Sequence, residues 1–252
     1  MRTTKQSVVA MLTACATLAC SYGVANAGDG SKDLDPVTLY SGSDFSPHSQ
    51  YYYLGSVVPL FRDSATSQIL LRGYSSYNHY DYNNEGKRNA DEWQGDAMLG
   101  YQVEGTRVTM AAFIGVDFQN HRIFPDDLSN PGRGSETGFK VAAEIESSAD
   151  SPYYFDLDGD YSTAFSTYWA RGRLGYKYDC ITFGPEASVD GSVGYDSQRL
   201  GGFATFDLEK IIQRSATLTL SLGHQFVSGS GSGPDFGGGE GTYGAFSVGF
   251  DF

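Results

Sequence analysis

Asp156, Asp158 and Asp160 occupy alternate positions, and a little further along the chain Trp169, Arg171, Arg173 and Lys177 do the same. Side chains at every second position of a strand share a face. A hairpin of these two segments would therefore set carboxylates against guanidinium and ammonium groups, and opposite charges across adjacent strands attract. Glu186, Ser188 and Asp190 repeat the spacing on the next segment, so Arg171 and Arg173 fall between two acidic rows. Two chemistries suit such a face. It is either a structural ladder that neutralises a narrow interior, or a polar track for a solute, with Trp169 offering a flat face on which a sugar ring could stack.

Other chemistries fit less well. Asp156-Leu157-Asp158-Gly159-Asp160 resembles the start of a calcium loop, but Tyr161 stands where that loop needs its turning glycine and no bidentate glutamate follows at the right distance. No G-x-S-x-G is present, and nothing singles out a serine partner for His48, His79, His121 or His224. The Gly-Ser run at 228–233, followed by Gly237-Gly238-Gly239, lacks the lysine of a phosphate-binding loop. No catalytic residue, metal ligand or cofactor is assigned, and a lipid-modifying hydrolase using one of these histidines with a serine is the enzymatic alternative.

The elements that would position these residues are strands. The chain has 32 glycines and 36 aromatics in 252 residues, a composition for strands and turns, and beyond residue 27 no apolar run approaches the roughly 18 residues of a membrane-spanning helix. A β-barrel escapes that test, because its strands alternate apolar and polar residues. Period two recurs in about twelve segments: 37–45, 51–60, 67–79, 92–102, 107–119, 135–147, 153–163, 167–178, 181–193, 199–210, 215–226 and 242–252. The even count suits a single-chain bacterial barrel with both ends in the periplasm. With the first strand rising, the turns near 61–66, 103–105, 148–150, 179–180 and 213–214 are short, while the long connections 80–91, 120–134 and 227–241 share the opposite end. His121, Arg122, Pro125 and Asp127 are placed in an extracellular loop. Clustered tyrosines at 51–53 and at 74, 77, 80 and 82 suggest an interfacial girdle.

Faces separate within strands. Trp93, Ala97, Leu99 and Tyr101 alternate with Glu92, Gln94, Asp96 and Gln102. Val108, Met110, Ala112, Ile114, Val116 and Phe118 alternate with Arg107, Thr109, Asp117 and Gln119, though Ala111 and Phe113 blur the polar set. Phe139, Val141, Ala143 and Ile145 alternate with Glu136, Lys140, Glu144 and Glu146. A basic residue on the lipid face near the midplane costs roughly 2–4 kcal/mol, so the polar sets should face the lumen.

Both ends of the chain agree. Arg2 and Lys5, the apolar stretch from Val8 to Ala19 and Ala25-Asn26-Ala27 read as a signal peptide over 1–27. A periplasmic segment 28–36 and a barrel over 37–252 would follow. The signal takes Cys15 and Cys20 with it, leaving Cys180 and no possible intrachain disulfide, and the remaining 15 Lys and Arg face 30 Asp and Glu. So acidic a chain is a poor nucleic-acid binder. At the other end Phe246, Val248, Phe250 and Phe252 share one face of a final strand that closes on an aromatic. That pattern is similar to the signal that outer-membrane barrels present to their assembly machinery.

Gly100-Tyr101-Gln102, the run from Gly115 to Arg122 with Pro125-Asp126-Asp127 and Asn130-Pro131, Tyr161-Ser162-Thr163, Tyr168-Trp169-Ala170-Arg171 and Gly184-Pro185-Glu186 together resemble the BcsS family of cellulose biosynthesis proteins. The resemblance spans roughly 37–252. It implies an outer-membrane barrel of a Gram-negative bacterium associated with cellulose production, and it carries over no catalytic residues. The function expected on this basis is assistance to export or surface retention of the glucan. A general small-solute channel and a structural or adhesive barrel acting through its loops are the alternatives. Expected partners are outer-membrane lipid, the barrel-assembly machinery, and cellulose or components of its synthase.

Overall fold

The computed structural model describes residues 34–84, 86–228 and 239–252. The expected signal peptide, most of the segment 28–36 and nearly all of the glycine-rich run therefore lie outside the described residues. The described chain forms twelve antiparallel strands: β1 (Thr38–Ser46), β2 (Ser49–Ser64), β3 (Ser67–Asn83), β4 (Lys87–Glu104), β5 (Val108–Phe124), β6 (Gly134–Ser147), β7 (Tyr153–Ser162), β8 (Tyr168–Tyr178), β9 (Ile181–Ser192), β10 (Tyr195–Asp207), β11 (Ala216–Ser228) and β12 (Gly241–Asp251). Each pairs with the next, and β1 pairs with β12 to close a barrel. Closure satisfies every strand edge, the condition for β structure in lipid.

The twelve expected segments are all present, but several bounds differ. β3 and β4 continue in register through Tyr80↔Ala90 to Asn83↔Lys87, so the expected long connection 80–91 is a projecting hairpin with a tight turn. The apolar row of the outer face ends there, while the backbone ladder continues and Tyr82 and Ala90 stay buried on the other face. β10 is shifted towards the N-terminus, and the expected turn at 213–214 broadens to 208–215, which contains a short helix α1 (Glu209–Ile212).

The faces follow the alternation. Leu99, Ile114, Phe139, Leu174 and Leu222 are exposed on the outer wall, and Asp96, Asp117, Lys140 and Ser162 are buried inside. Ala111 and Phe113 also turn inward, where they pack with Leu70, Met98 and Ala142 into an apolar cluster on the lumen wall. Parity along the strand, rather than polarity, decided their side. The large inward rings are accommodated by glycines on adjacent strands: a Cβ at Gly55 would overlap the Tyr40 ring, and one at Gly100 the Phe113 ring. Such pairing of an aromatic with a strand glycine is a recurrent device in barrels.

Candidate functional site: the barrel lumen

The β7–β8 register sets Asp156 opposite Arg173, Asp158 opposite Arg171 and Asp160 opposite Trp169, all on the lumen face. Arg171 Nη2 lies 2.5 Å from Asp158 and 3.5 Å from Asp156, and its guanidinium stands 5.1 Å from the Trp169 ring. Arg173 turns away from Asp156 towards β9, where its Nε donates to Glu186 at 2.5 Å. Glu186 also accepts from Ser221 Oγ and from the Tyr243 hydroxyl, both at 3.2 Å, which ties β9 to β11 and β12.

Similar chords cross other parts of the lumen. Lys140 on β6 reaches Asp96 on β4 at 2.8 Å and Asp160 on β7 at 3.4 Å. Arg72 on β3 reaches Glu144 on β6 at 2.9 Å, and Arg199 on β10 reaches Asp44 on β1 at 2.5 Å. These cations offset a conflict in the sheet itself. The β6–β7 register sets Glu144 directly opposite Asp158 and Glu146 opposite Asp156. Like charges so placed repel, and Arg72 and Arg171 sit where they neutralise them.

A different surface faces the lumen from β1 to β3. Tyr40, Tyr53 and Tyr74 have ring centroids 6.1–6.5 Å apart, and Tyr51 adjoins Tyr53 at 5.9 Å. The Tyr51 and Tyr74 hydroxyls are hydrogen-bonded to each other, and Lys140 Nζ lies 5.4 Å from the Tyr74 ring. The expected interfacial girdle is therefore corrected. Tyr51, Tyr53 and Tyr74 are inward, Tyr80 and Tyr82 share that parity, and Tyr52 and Tyr77 take the outer one. Tyrosine is at home against either lipid or a polar lumen, so its type alone could not decide.

The residues assigned to the 120–134 loop divide. His121 and Arg122 belong to β5, which runs further than its apolar alternation. His121 faces the lumen with its ring 4.6 Å from Phe165 and its Nε2 3.5 Å from Glu92. Phe165 belongs to the β7–β8 connection, and its backbone N–H donates to Glu136 while its carbonyl accepts from Val193. Phe165 and Ser166 both hold left-handed backbone, with φ of 47° and 50°. This inward fold of a short loop carried no recognisable sequence signal.

Pro125 and Asp127 do lie in the loop. Asp127 accepts from the Tyr82 hydroxyl at 3.0 Å, Asn84 Nδ2 at 2.7 Å, Ser129 Oγ at 2.6 Å and the Ser129 N–H at 3.1 Å. Burial opposes ionisation of its carboxyl, but these hydrogen bonds outweigh it and bring the pKa down to about 2. The loop is thereby clamped to the β3–β4 hairpin, with Phe124 and Leu128 left 76% and 78% exposed. On β12, Phe246, Val248 and Phe250 pair outward with β1 and β11, while Val37 and Phe252 exchange backbone hydrogen bonds.

His48, His79 and His224 each face a carboxylate, at 3.1, 2.8 and 3.5 Å respectively. Among the described residues no cluster of His, Cys, Asp and Glu is arranged to hold a metal ion.

A closed antiparallel barrel with an apolar outer wall, a charged lumen and its first and last strands ending together at Val37 and Phe252 is an outer-membrane β-barrel of the Gram-negative type. The model of one family, cellulose biosynthesis protein BcsS, matches residues 38–252, and the chain belongs to that family. It is thus an outer-membrane barrel associated with cellulose biosynthesis. Among solved structures, the chain is similar to an outer membrane channel from Pseudomonas putida F1 at 13% identity and a TM-score of 0.56, over 90% of this chain and 99% of that one. It is also similar to LpxR from Salmonella typhimurium, at 11% identity and a TM-score of 0.46 over 85% of this chain and all of that one. The KdgM porin is similar at 9% and 0.43, over 85% of this chain and 99% of that one. At these identities the likeness shows the fold. No curated protein sequence matches the chain significantly.

Proposed function

We propose that the barrel assists the export of cellulose by carrying the glucan along its lumen. The observation that supports this reading is the division of the lumen into a tyrosine wall on β1–β3 and an ion-paired wall on β6–β9. Flat rings suit the C–H faces of a glucose unit, and the hydroxyls and charged groups suit its polar edge. Because the charges are largely paired with one another, they offer hydrogen bonds without the uniformly basic track that an acidic polysaccharide would require. Asp156, Asp158, Asp160, Trp169, Arg171, Arg173 and Glu186 form the polar side of this path.

The test is a deletion strain complemented with the wild-type barrel or with the Tyr53→Ala, Tyr74→Ala double variant. Deletion should lower extracellular cellulose while synthase activity in membranes is unchanged, and the double variant should restore output only partly. Unchanged extracellular cellulose in the deletion strain overturns the proposal.

Surface retention is a second reading, supported by the clamped loop that holds Phe124 and Leu128 outward. Replacing residues 125–133 with a short turn would then release cellulose into the medium without changing the total, whereas an unchanged distribution removes this reading.

A further inference from the structure

The outer wall carries a recess on β9, β10 and β11. Ala204 stands in register between Phe183 and Leu220, and Gly202 stands beside Leu222, so small outward residues of β10 are flanked by large exposed ones. They leave an open apolar groove of about 580 Å³, within the roughly 300–1,000 Å³ of ordinary ligand sites. Ala204 is three residues from the end of β10 at Asp207, or about 10 Å along the strand. In a hydrocarbon core about 30 Å thick, the groove therefore lies in the half next to the rim of short turns, which is the periplasmic one in such barrels.

The connection at the end of these same strands differs from its neighbours. Other turns on this rim have two to five residues, whereas the one from β10 to β11 has eight, 208–215. It leaves Ile211 and Ile212 76% and 43% exposed, which suits contact with a membrane surface better than contact with water. Its charges are mixed. Lys210 pairs with Asp179 of the β8–β9 turn at 2.7 Å, Asp207 accepts from the Glu209 N–H at 2.9 Å, and Asp251 accepts from Ser215 Oγ at 2.8 Å. Among the described residues, the exposed side chains of Arg214 and Glu209 enter no ion pair.

An acyl chain lying in the groove gains dispersion contacts that a convex wall does not offer. Lipid tails are as apolar as leucine, so the groove selects by shape and the choice of headgroup falls to the connection. A purely anionic headgroup would meet Arg214 but also Asp207, Glu209 and Asp251. A headgroup with both a phosphate and a primary ammonium can set the phosphate on Arg214 and the ammonium on Glu209, and each charge then finds its opposite.

We propose that β9–β11 and the 208–215 connection form a site for one aminophospholipid of the periplasmic leaflet, of the phosphatidylethanolamine class, with an acyl chain in the groove and the headgroup between Arg214 and Glu209. The site lies on the outer wall and is independent of what passes through the lumen.

The experiment is native mass spectrometry of the full chain in mild detergent, titrated with phosphatidylethanolamine or phosphatidylglycerol of identical acyl chains. Wild type should hold one phosphatidylethanolamine and prefer it about tenfold over phosphatidylglycerol. Ala204→Phe fills the groove from the lipid side without entering the lumen, and should weaken binding about tenfold. Ala97→Phe, at an exposed outward position of β4, should leave binding unchanged. Glu209→Gln should remove the preference between the two lipids, and Arg214→Gln should weaken both. Heat-modifiable migration on gels confirms that each variant is folded. A wild type that holds neither lipid, or holds both equally, overturns the site, as does a folded Ala204→Phe variant that binds like wild type. A doubled mass that Ala204→Phe alone abolishes overturns it too, because the groove then seats a second copy of the chain.

Discussion

The Lys140–Asp96 pair gives a sharp test of how the lumen is held together. The two side chains are 4% and 0% exposed and 2.8 Å apart, and Asp96 Oδ1 has no hydrogen-bond partner, so Lys140 is the direct counter-charge of this carboxylate, with Arg72 acting on it from further away. Lys140→Met removes the direct partner of the buried Asp96 and one partner of Asp160, and breaking a buried pair in this way costs about 3–5 kcal/mol. Asp96→Asn is milder, because Lys140 keeps Asp160 at 3.4 Å; a loss of about 1–3 kcal/mol is expected. Combining Lys140→Met with Asp96→Leu should recover only part of that loss, because it removes the buried Asp96 charge but still leaves Asp160 without Lys140. The measurement is reversible urea unfolding in lipid vesicles, followed by the fluorescence of Trp93 and Trp169. A loss under about 1 kcal/mol for Lys140→Met, or a double variant that merely sums its two single changes, would refute the assignment of Lys140 as the counter-charge for Asp96.

Other expectations concern the loops and the glycines. Because the Asp127 carboxyl is held near 2, below its ordinary 3.8, its stabilisation of the loop is present above about pH 4 and is lost as pH falls through 2. Pepsin cleavage within 125–133 should therefore rise steeply between pH 3.5 and 2, and Asp127→Ala should show the fast rate throughout. Ser166→Gly relieves a left-handed backbone at an exposed position and should stabilise by up to about 1 kcal/mol, read from the urea midpoint. Gly55→Ala forces the Tyr40 ring aside and should cost about 1–3 kcal/mol, with Tyr40→Ala in the same chain recovering part of the loss.

Much of this architecture is legible in the sequence because lipid enforces period two. Leu99, Ile114 and Phe139 must face hydrocarbon, and each fixes its neighbours on the lumen side. The charged rows of β7, β8 and β9 could be aligned for the same reason. Legibility fails where that constraint relaxes. Above the membrane the outer face of 80–91 carries Asp81, Asn83, Lys87, Asn89 and Asp91 in place of an apolar row, so the projecting hairpin reads as a loop, and His121 and Arg122 are taken for loop residues. Inside the lumen an apolar residue is not forbidden, so Ala111 and Phe113 look like noise although they build a cluster. Arg173 shows a further limit. Its register opposite Asp156 follows from the hairpin, but its choice of Glu186 depends on the rotamer and on Ser221 and Tyr243 from strands far along the chain.

The seam between β1 and β12 also constrains the order in which the barrel can form. Thr38 and Asp251, hydrogen-bonded at 2.7 Å, stand 213 positions apart in sequence, so almost the whole chain must be synthesised before the ring can shut. Until then β1 and β12 each carry an open row of backbone donors and acceptors, a template for pairing with another chain. Val37 and Phe252 set the last rung of the seam. Joining them through a two-residue turn such as Asn-Gly and reopening the ring at Pro47-His48 would make the present seam a local hairpin and move the late, vulnerable step between β1 and β2.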